Sequence, residues 1–155
     1  MRIALIQPEI PQNVGAVLRL GACLGVAVDL VGPLGFVLSD RRLKRAGMDY
    51  VDLATLERHS GWSAFEAART GRLALLTTQG ETSLYDFDFR ADDVLMLGSE
   101  SAGAPAEVHA AADVRLRLPM RSGVRSLNLA LAAALALGEA LRQTDGLPEA
   151  TETLP

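Results

Sequence analysis

The sequence predicts an α/β fold, a mostly parallel sheet with helices on both faces, and three observations predict it. Short apolar runs alternate along the chain with stretches whose apolar side chains recur at three-and-four spacing. Runs such as Ile3 to Ile6 and Val94 to Leu97 are apolar throughout, as strands covered on both faces must be. Most of these runs empty into a turn rich in Gly, Pro or small polar residues.

Taken in order, Arg2 to Ile6 reads as a buried strand closed by the turn-forming stretch Pro8 to Pro11. A helix follows, with Asn13 as its N-cap and Val14, Val17, Leu18, Gly21 and Leu24 on one buried face, ending at Gly25. Cys23, inside that pattern, reads as a small core residue. Ala27 to Val31 is a second strand, stopped by Gly32 and Pro33. Leu38 to Ala46 reads as a short basic helix, Trp62 to Arg69 as another, and Arg72 to Thr77 as the third strand. Asp93 to Leu97 is a strand that runs directly into the flexible loop Gly98 to Gly103. Pro105 suits the first turn of a helix carrying Val108 and Ala111. The strand Val114 to Leu118 and the loop Pro119 to Arg125 come next, and the Ala/Leu-rich run Ser126 to Arg142 is the strongest helix signal. Residues 1–143 therefore read as a single domain and 144–155 as a flexible tail.

With 155 residues, 49% of them hydrophobic and 22% charged, the chain has material for one substantial core and for little else. Its apolar runs are too short for a membrane helix, and Pro8 and Glu9 come too early for a signal peptide, so a soluble, cytoplasmic protein is expected. The single cysteine excludes an internal disulfide, and with His59 and His109 far apart there is no Cys/His zinc set; no metal is expected. A net charge of −4 argues against coating nucleic acid by bulk electrostatics. The basic residues are nevertheless clustered, as Arg41, Arg42, Lys44 and Arg45, and as Arg115, Arg117, Arg121 and Arg125. Each cluster fits either a solvated face or a local phosphate-contacting surface.

Ligands of parallel sheets gather outside the carboxyl ends of the strands, so the loops after residues 77, 97 and 118 are expected to converge on one site. The loop Gly98 to Gly103 has the gap that starts a P-loop, but Ala104 and Pro105 stand where Lys and Ser/Thr must reach phosphates and Mg²⁺. No G-x-G-x-x-G follows the first strand, and Ser99 rather than Gly precedes Ser101 by two, which removes a hydrolase elbow.

Five segments, in order, resemble the SPOUT-class RNA 2′-O-methyltransferases. They are Pro8-Glu9-Ile10-Pro11-Gln12-Asn13-Val14-Gly15 with Arg19; Gly32-Pro33-Leu34-Gly35-Phe36; Lys44-Arg45-Ala46-Gly47-Met48-Asp49-Tyr50; Gly98-Ser99-Glu100-Ser101-Ala102-Gly103-Ala104-Pro105; and Leu118-Pro119-Met120 through Arg125-Ser126-Leu127-Asn128-Leu129. The similarity spans residues 2 to 143 and is closest to the small single-domain family that modifies nucleotide 34 of tRNA, at cytidine or uridine. It implies a C-terminal trefoil knot, S-adenosylmethionine as cofactor, the tRNA anticodon stem-loop as substrate and a homodimer. Carried over by position, the cofactor contacts are Leu76, Gly98, Leu118, Met120 and Ser126, and the catalytic residues Arg19, Asn13 and Glu100. Arg41, Arg42, Lys44, Arg45, Arg121 and Arg125 are the candidate RNA contacts. In-line methyl transfer depends on positioning and needs no metal or covalent nucleophile. Arginine is a poor general base, so Arg19 is expected to bind phosphate and stabilise a developing alkoxide.

Ser99, Gly138 and the segment Arg121 to Val124 depart from the pattern of the resemblance. The same residues leave other readings open: methylation of another tRNA or rRNA position, a non-catalytic RNA-binding protein of this fold, or a nucleotide site on Gly98 to Gly103.

Overall fold

A computed structural model describes residues 1–37 and 55–149. The expected helix Leu38 to Ala46, the Lys44 to Tyr50 segment, and the candidate contacts Arg41, Arg42, Lys44 and Arg45 lie outside the described residues. The strands are β1 (Arg2–Ile6), β2 (Ala27–Val31), β3 (Leu56–His59), β4 (Leu73–Leu76), β5 (Thr82–Ser83), β6 (Val94–Leu97) and β7 (Val114–Arg117). The helices are α1 (Pro11–Leu24), α2 (Trp62–Ala68), α3 (Ala106–Ala111) and α4 (Leu129–Gln143). The strands form one sheet in the order β3-β2-β1-β6-β4-β7-β5, and every adjacent pair is parallel.

Alternation along the strands divides the core into two layers. Ile3, Leu5, Val28, Leu30, Leu95 and Leu97 point toward α1 and α4, where they meet Val14, Val17, Leu18, Ala133 and Leu137. Ala4, Ile6, Leu73, Leu75, Val94 and Met96 point to the opposite face and pack on Trp62, Phe65 and Val108 of α2 and α3. The predicted α/β class with helices on both faces is what forms. Because all strands run the same way, their carboxyl ends and the loops that follow lie along one edge.

Several expectations are corrected. Helix α1 begins at Pro11, with Ile10 in the cap position, so Asn13 sits inside the first turn instead of capping it. Pro11 accounts for the earlier start, because its ring presets φ and it has no N–H to leave unpaired. Cys23 is exposed rather than part of the core. The last helix starts at Leu129 with Asn128 as N-cap, leaving Ser126 in the preceding loop. Strands β3 and β5 carry no apolar run: β3 reads Leu-Glu-Arg-His, and backbone pairing at the rim of the sheet holds it there.

The chain folds across itself at β7. Leu116 pairs with Leu76 on one side and with Thr82 on the other, so residues 77–81 must cross β7 to pass from β4 to β5. The Thr77 amide donates to the Leu116 carbonyl (2.9 Å) during that crossing. Gly80 makes it possible, since a Cβ there would overlap the backbone of Leu116 and Arg117.

At the opposite edge of the sheet, Asp93 is completely buried and receives the Arg72 guanidinium at Nε (2.9 Å) and Nη2 (2.8 Å) and the Arg90 amide (2.8 Å). Arg72 also lies 4.5 Å from the centroid of the Phe87 ring, and its hydrogen bonds to Asp93 raise its pKa above the ordinary value. A buried ion pair loses most when one partner is removed alone. Arg72→Ala should therefore destabilise the protein by about 3 kcal/mol in urea titration, whereas Arg72→Met combined with Asp93→Leu should cost less.

Candidate functional site

The carboxyl edge of the sheet opens into a cavity of about 570 Å³, within the usual range for a small-molecule site. Leu76, Leu97 and Leu118, at the ends of three strands, form apolar walls; Thr77, Thr78 and Gln79 form a polar shoulder. Residues 98–104 close one side and Arg125 to Leu129 another. The loops expected to converge do converge.

Gly98 shapes the near wall. Ser99 and Gly103 exchange backbone hydrogen bonds of 3.0 Å, folding the loop back on itself, and Gly103 takes a φ of +72° at its end. A Cβ on Gly98 would overlap the backbone of Gly103 and Ala104, so this tight turn admits no side chain there.

Glu100, at the tip of the loop, faces the start of α1. Its carboxylate accepts the Glu9 amide (2.8 Å), the Ile10 amide (3.2 Å) and the Asn13 side-chain Nδ2 (2.9 Å). A negative charge is favourable at this position because it faces the positive end of the helix dipole. Asn13 is 6% exposed and passes the connection on: its Oδ1 accepts Asn128 Nδ2 at 2.8 Å. Asn128 in turn accepts the amides of Ala130 (2.9 Å) and Leu131 (3.3 Å), capping α4. Glu100, Asn13 and Asn128 thus join three distant segments around the cavity.

Leu76, Gly98, Leu118, Met120 and Ser126, the five candidate cofactor contacts, all line this cavity, as do Asn13 and Glu100. Arg19 does not: it lies on the exposed side of α1. Arg125 reaches the cavity wall, while Arg121 is exposed and not part of the lining. Sequence reasoning missed Thr77, Thr78, Gln79 and the linking role of Asn128. A polar run straight after an apolar strand of a parallel sheet would have signalled the first three.

Among the described residues a second polar cluster lies near the other end of the sheet, where Asp29, Glu57 and His59 have the spacing of metal ligands. Arg2 occupies that cluster, donating to Asp29 at 2.7 and 2.9 Å and pairing with Glu57 at 3.0 Å, while His59 Nε2 lies 2.7 Å from Asp29. The guanidinium already takes both Asp29 oxygens, which makes the cluster an ion-pair network tying β1, β2 and β3.

The sequence profile of the SpoU rRNA Methylase family matches residues 1–138. A protein of Beijerinckia indica named tRNA (cytidine(34)-2′-O)-methyltransferase is 54% identical over 148 residues, which cover 94% of this chain and 92% of that one. A solved structure described as giving insights into the 2-OH methylation of C/U34 on tRNA is 46% identical, with a TM-score of 0.87 and coverage of 92% and 94%. An AdoMet-bound rRNA methyltransferase from Sinorhizobium meliloti is 27% identical, with a TM-score of 0.82 over 91% of this chain and 55% of that one.

The two glycines of the loop should respond differently to a methyl group. Gly98→Ala should destabilise the protein by about 1–3 kcal/mol through overpacking. Gly103→Ala meets no atom within 4 Å and should cost only the strain of its positive φ, about 1 kcal/mol. Urea unfolding of the two variants measures the difference.

Proposed function

The chain belongs to the SpoU rRNA Methylase family, and from that premise we propose that it transfers a methyl group from S-adenosylmethionine to the ribose 2′-hydroxyl of nucleotide 34 in tRNA. One observation carries the reading: a single cavity joins apolar strand ends, a Gly-rich loop and the start of α1, in a chain 54% identical to a tRNA (cytidine(34)-2′-O)-methyltransferase.

The cavity suits the cofactor. Leu76, Leu97 and Leu118 offer an apolar slot for adenine, and the missing side chain at Gly98 lets the loop fold tightly enough to form the wall beside it. When bound, S-adenosylmethionine supplies an electrophilic methyl group on its sulfonium. Leu76, Gly98, Leu118, Met120 and Ser126 would hold it. Positioning then does most of the catalytic work, and the chain supplies that through the Glu100, Asn13 and Asn128 connection. Arg19, on the exposed side of α1 outside the cavity lining, binds substrate phosphate and, with the RNA seated, stabilises charge growing on the ribose oxygen. Arg121 and Arg125 add phosphate contacts for the anticodon stem-loop.

The chain works as a homodimer in the cytoplasm, where tRNA is met. Leu131 (59% exposed) and Leu135 (47%) are one helical turn apart on α4, and their exposure on an otherwise well-packed helix supports a self-complementary interface. The segment after β7 is threaded through the loop made by residues 77–81 to form a trefoil knot. The crossing at Leu116 and the packing of α4 on α1 support that path.

Incubation of the protein with labelled S-adenosylmethionine and total tRNA, followed by mapping of the methylated nucleotide, should place the label on the ribose of nucleotide 34. Arg19→Ala should lower the rate by about 10²-fold or more, as loss of one charge-stabilising donor does. tRNA binding without methyl transfer would overturn the reading. A second measurement addresses assembly: Leu131→Glu with Leu135→Glu should shift the wild-type dimer toward monomer in sedimentation velocity, because each charge would have to be buried unpaired.

A further inference from the structure

Glu9 stands just ahead of α1, and its side chain takes no part in the Glu100, Asn13 and Asn128 connection. Its carboxylate accepts the Ser101 hydroxyl at 2.7 Å and the Ser101 amide at 3.0 Å. In the other direction, Glu100 accepts the Glu9 amide at 2.8 Å. Two segments about ninety residues apart therefore exchange carboxylates: each gives its side chain to the backbone N–H groups of the other. The Glu9 end is itself held from behind. The Pro8 carbonyl accepts the Gly35 amide at 3.0 Å, and a Cβ on Gly35 would lie only 2.9 Å from the Glu9 Cα. Gln7, with φ +51°, turns the chain out of β1 toward this position.

The consequence concerns the cavity wall. Residues 98–104 form that wall, yet Ser101 and Ala102 at its tip are exposed and make no contribution to either core layer. Packing cannot set the position of the tip, so hydrogen bonds must. Glu100 alone would leave the loop free to pivot about one residue; a second attachment at Ser101, from the opposite direction, removes that freedom. We propose that Glu9 is a positioning residue for the cofactor pocket, and that its pairing with Ser101 presets the wall at residues 98–104 before S-adenosylmethionine enters. The inference rests on the reading of the cavity as the cofactor site. Preorganisation of this kind raises affinity by removing the cost of ordering the loop on binding.

The test is calorimetry of S-adenosylmethionine binding to the full chain, with Glu9→Ala, Glu9→Gln, Ser101→Ala and the double variant Glu9→Ala/Ser101→Ala. Glu9→Ala and Ser101→Ala should each weaken binding about tenfold, the scale of a charge-assisted hydrogen bond. The double variant should be no weaker than Glu9→Ala alone, because both remove the same link. Glu9→Gln should recover part of the loss, since its amide oxygen accepts one of the two bonds. Unchanged affinity in the variants, or losses that multiply in the double variant, would overturn the proposal. If Glu9→Ala does not fold, Glu9→Gln and Ser101→Ala decide it: wild-type affinity in both overturns it. Mapping of the methyl group transferred by the wild-type protein, run alongside, separates the two claims. Methylation at nucleotide 34 with unaltered affinities sinks only the role of Glu9, whereas failure of the wild-type protein to bind the cofactor sinks the reading of the cavity itself.

Discussion

The hydrogen bonds of Glu100 hold together what the sheet only brings near. Its carboxylate joins the loop after β6 to the start of α1, and Asn13 extends the connection to Asn128 at the cap of α4. Loops at the edge of a sheet have little apolar surface to bury, and closing them over long stretches of chain is entropically costly. A carboxylate that satisfies two backbone amides and a side-chain amide at a helix N-terminus offsets that cost with charge-assisted bonds. Without it, the loop after β6 would keep only the Glu9–Ser101 link to the start of α1.

The sheet contributes the other half of the constraint. Parallel strands deliver every carboxyl end to one edge, and the crossing of residues 77–81 over β7 places the polar stretch Thr77 to Gln79 against the last strand. The cavity therefore has an apolar floor from strand ends and a polar rim from loops, the division that a ligand with an aromatic base and a charged tail requires. Arg19 lies outside that enclosure, on the exposed side of α1.

The strands of the two-layered core were legible because burial on both faces leaves an uninterrupted apolar run, as in Val94 to Leu97. The rim strands β3 and β5 were not, because they are held by backbone pairing and leave no such run in the sequence. The cavity residues Leu76, Gly98 and Leu118 were legible from their position at strand ends together with the family resemblance. Thr77, Thr78 and Gln79 were passed over although they follow directly on the same strand. Asn13 suggested a helix cap, but it lies inside its helix and spends both ends of its amide on partners from elsewhere in the chain, while Asn128, inside the helix expected from Ser126, is the residue that caps one.

By itself the sequence determined the local and the periodic: which runs are strands, which faces of the helices are apolar, where glycine permits a sharp turn, and a set of short motifs in a fixed order. Those follow from steric preferences and from the burial of apolar surface, which act over a few residues at a time. Only the tertiary structure decided the order of the strands, the crossing at Leu116, and the partners of Glu9, Glu100, Asn13 and Asn128. A hydrogen bond between residues about ninety positions apart leaves no periodic trace in the chain, because it depends on where the intervening fold puts its two ends.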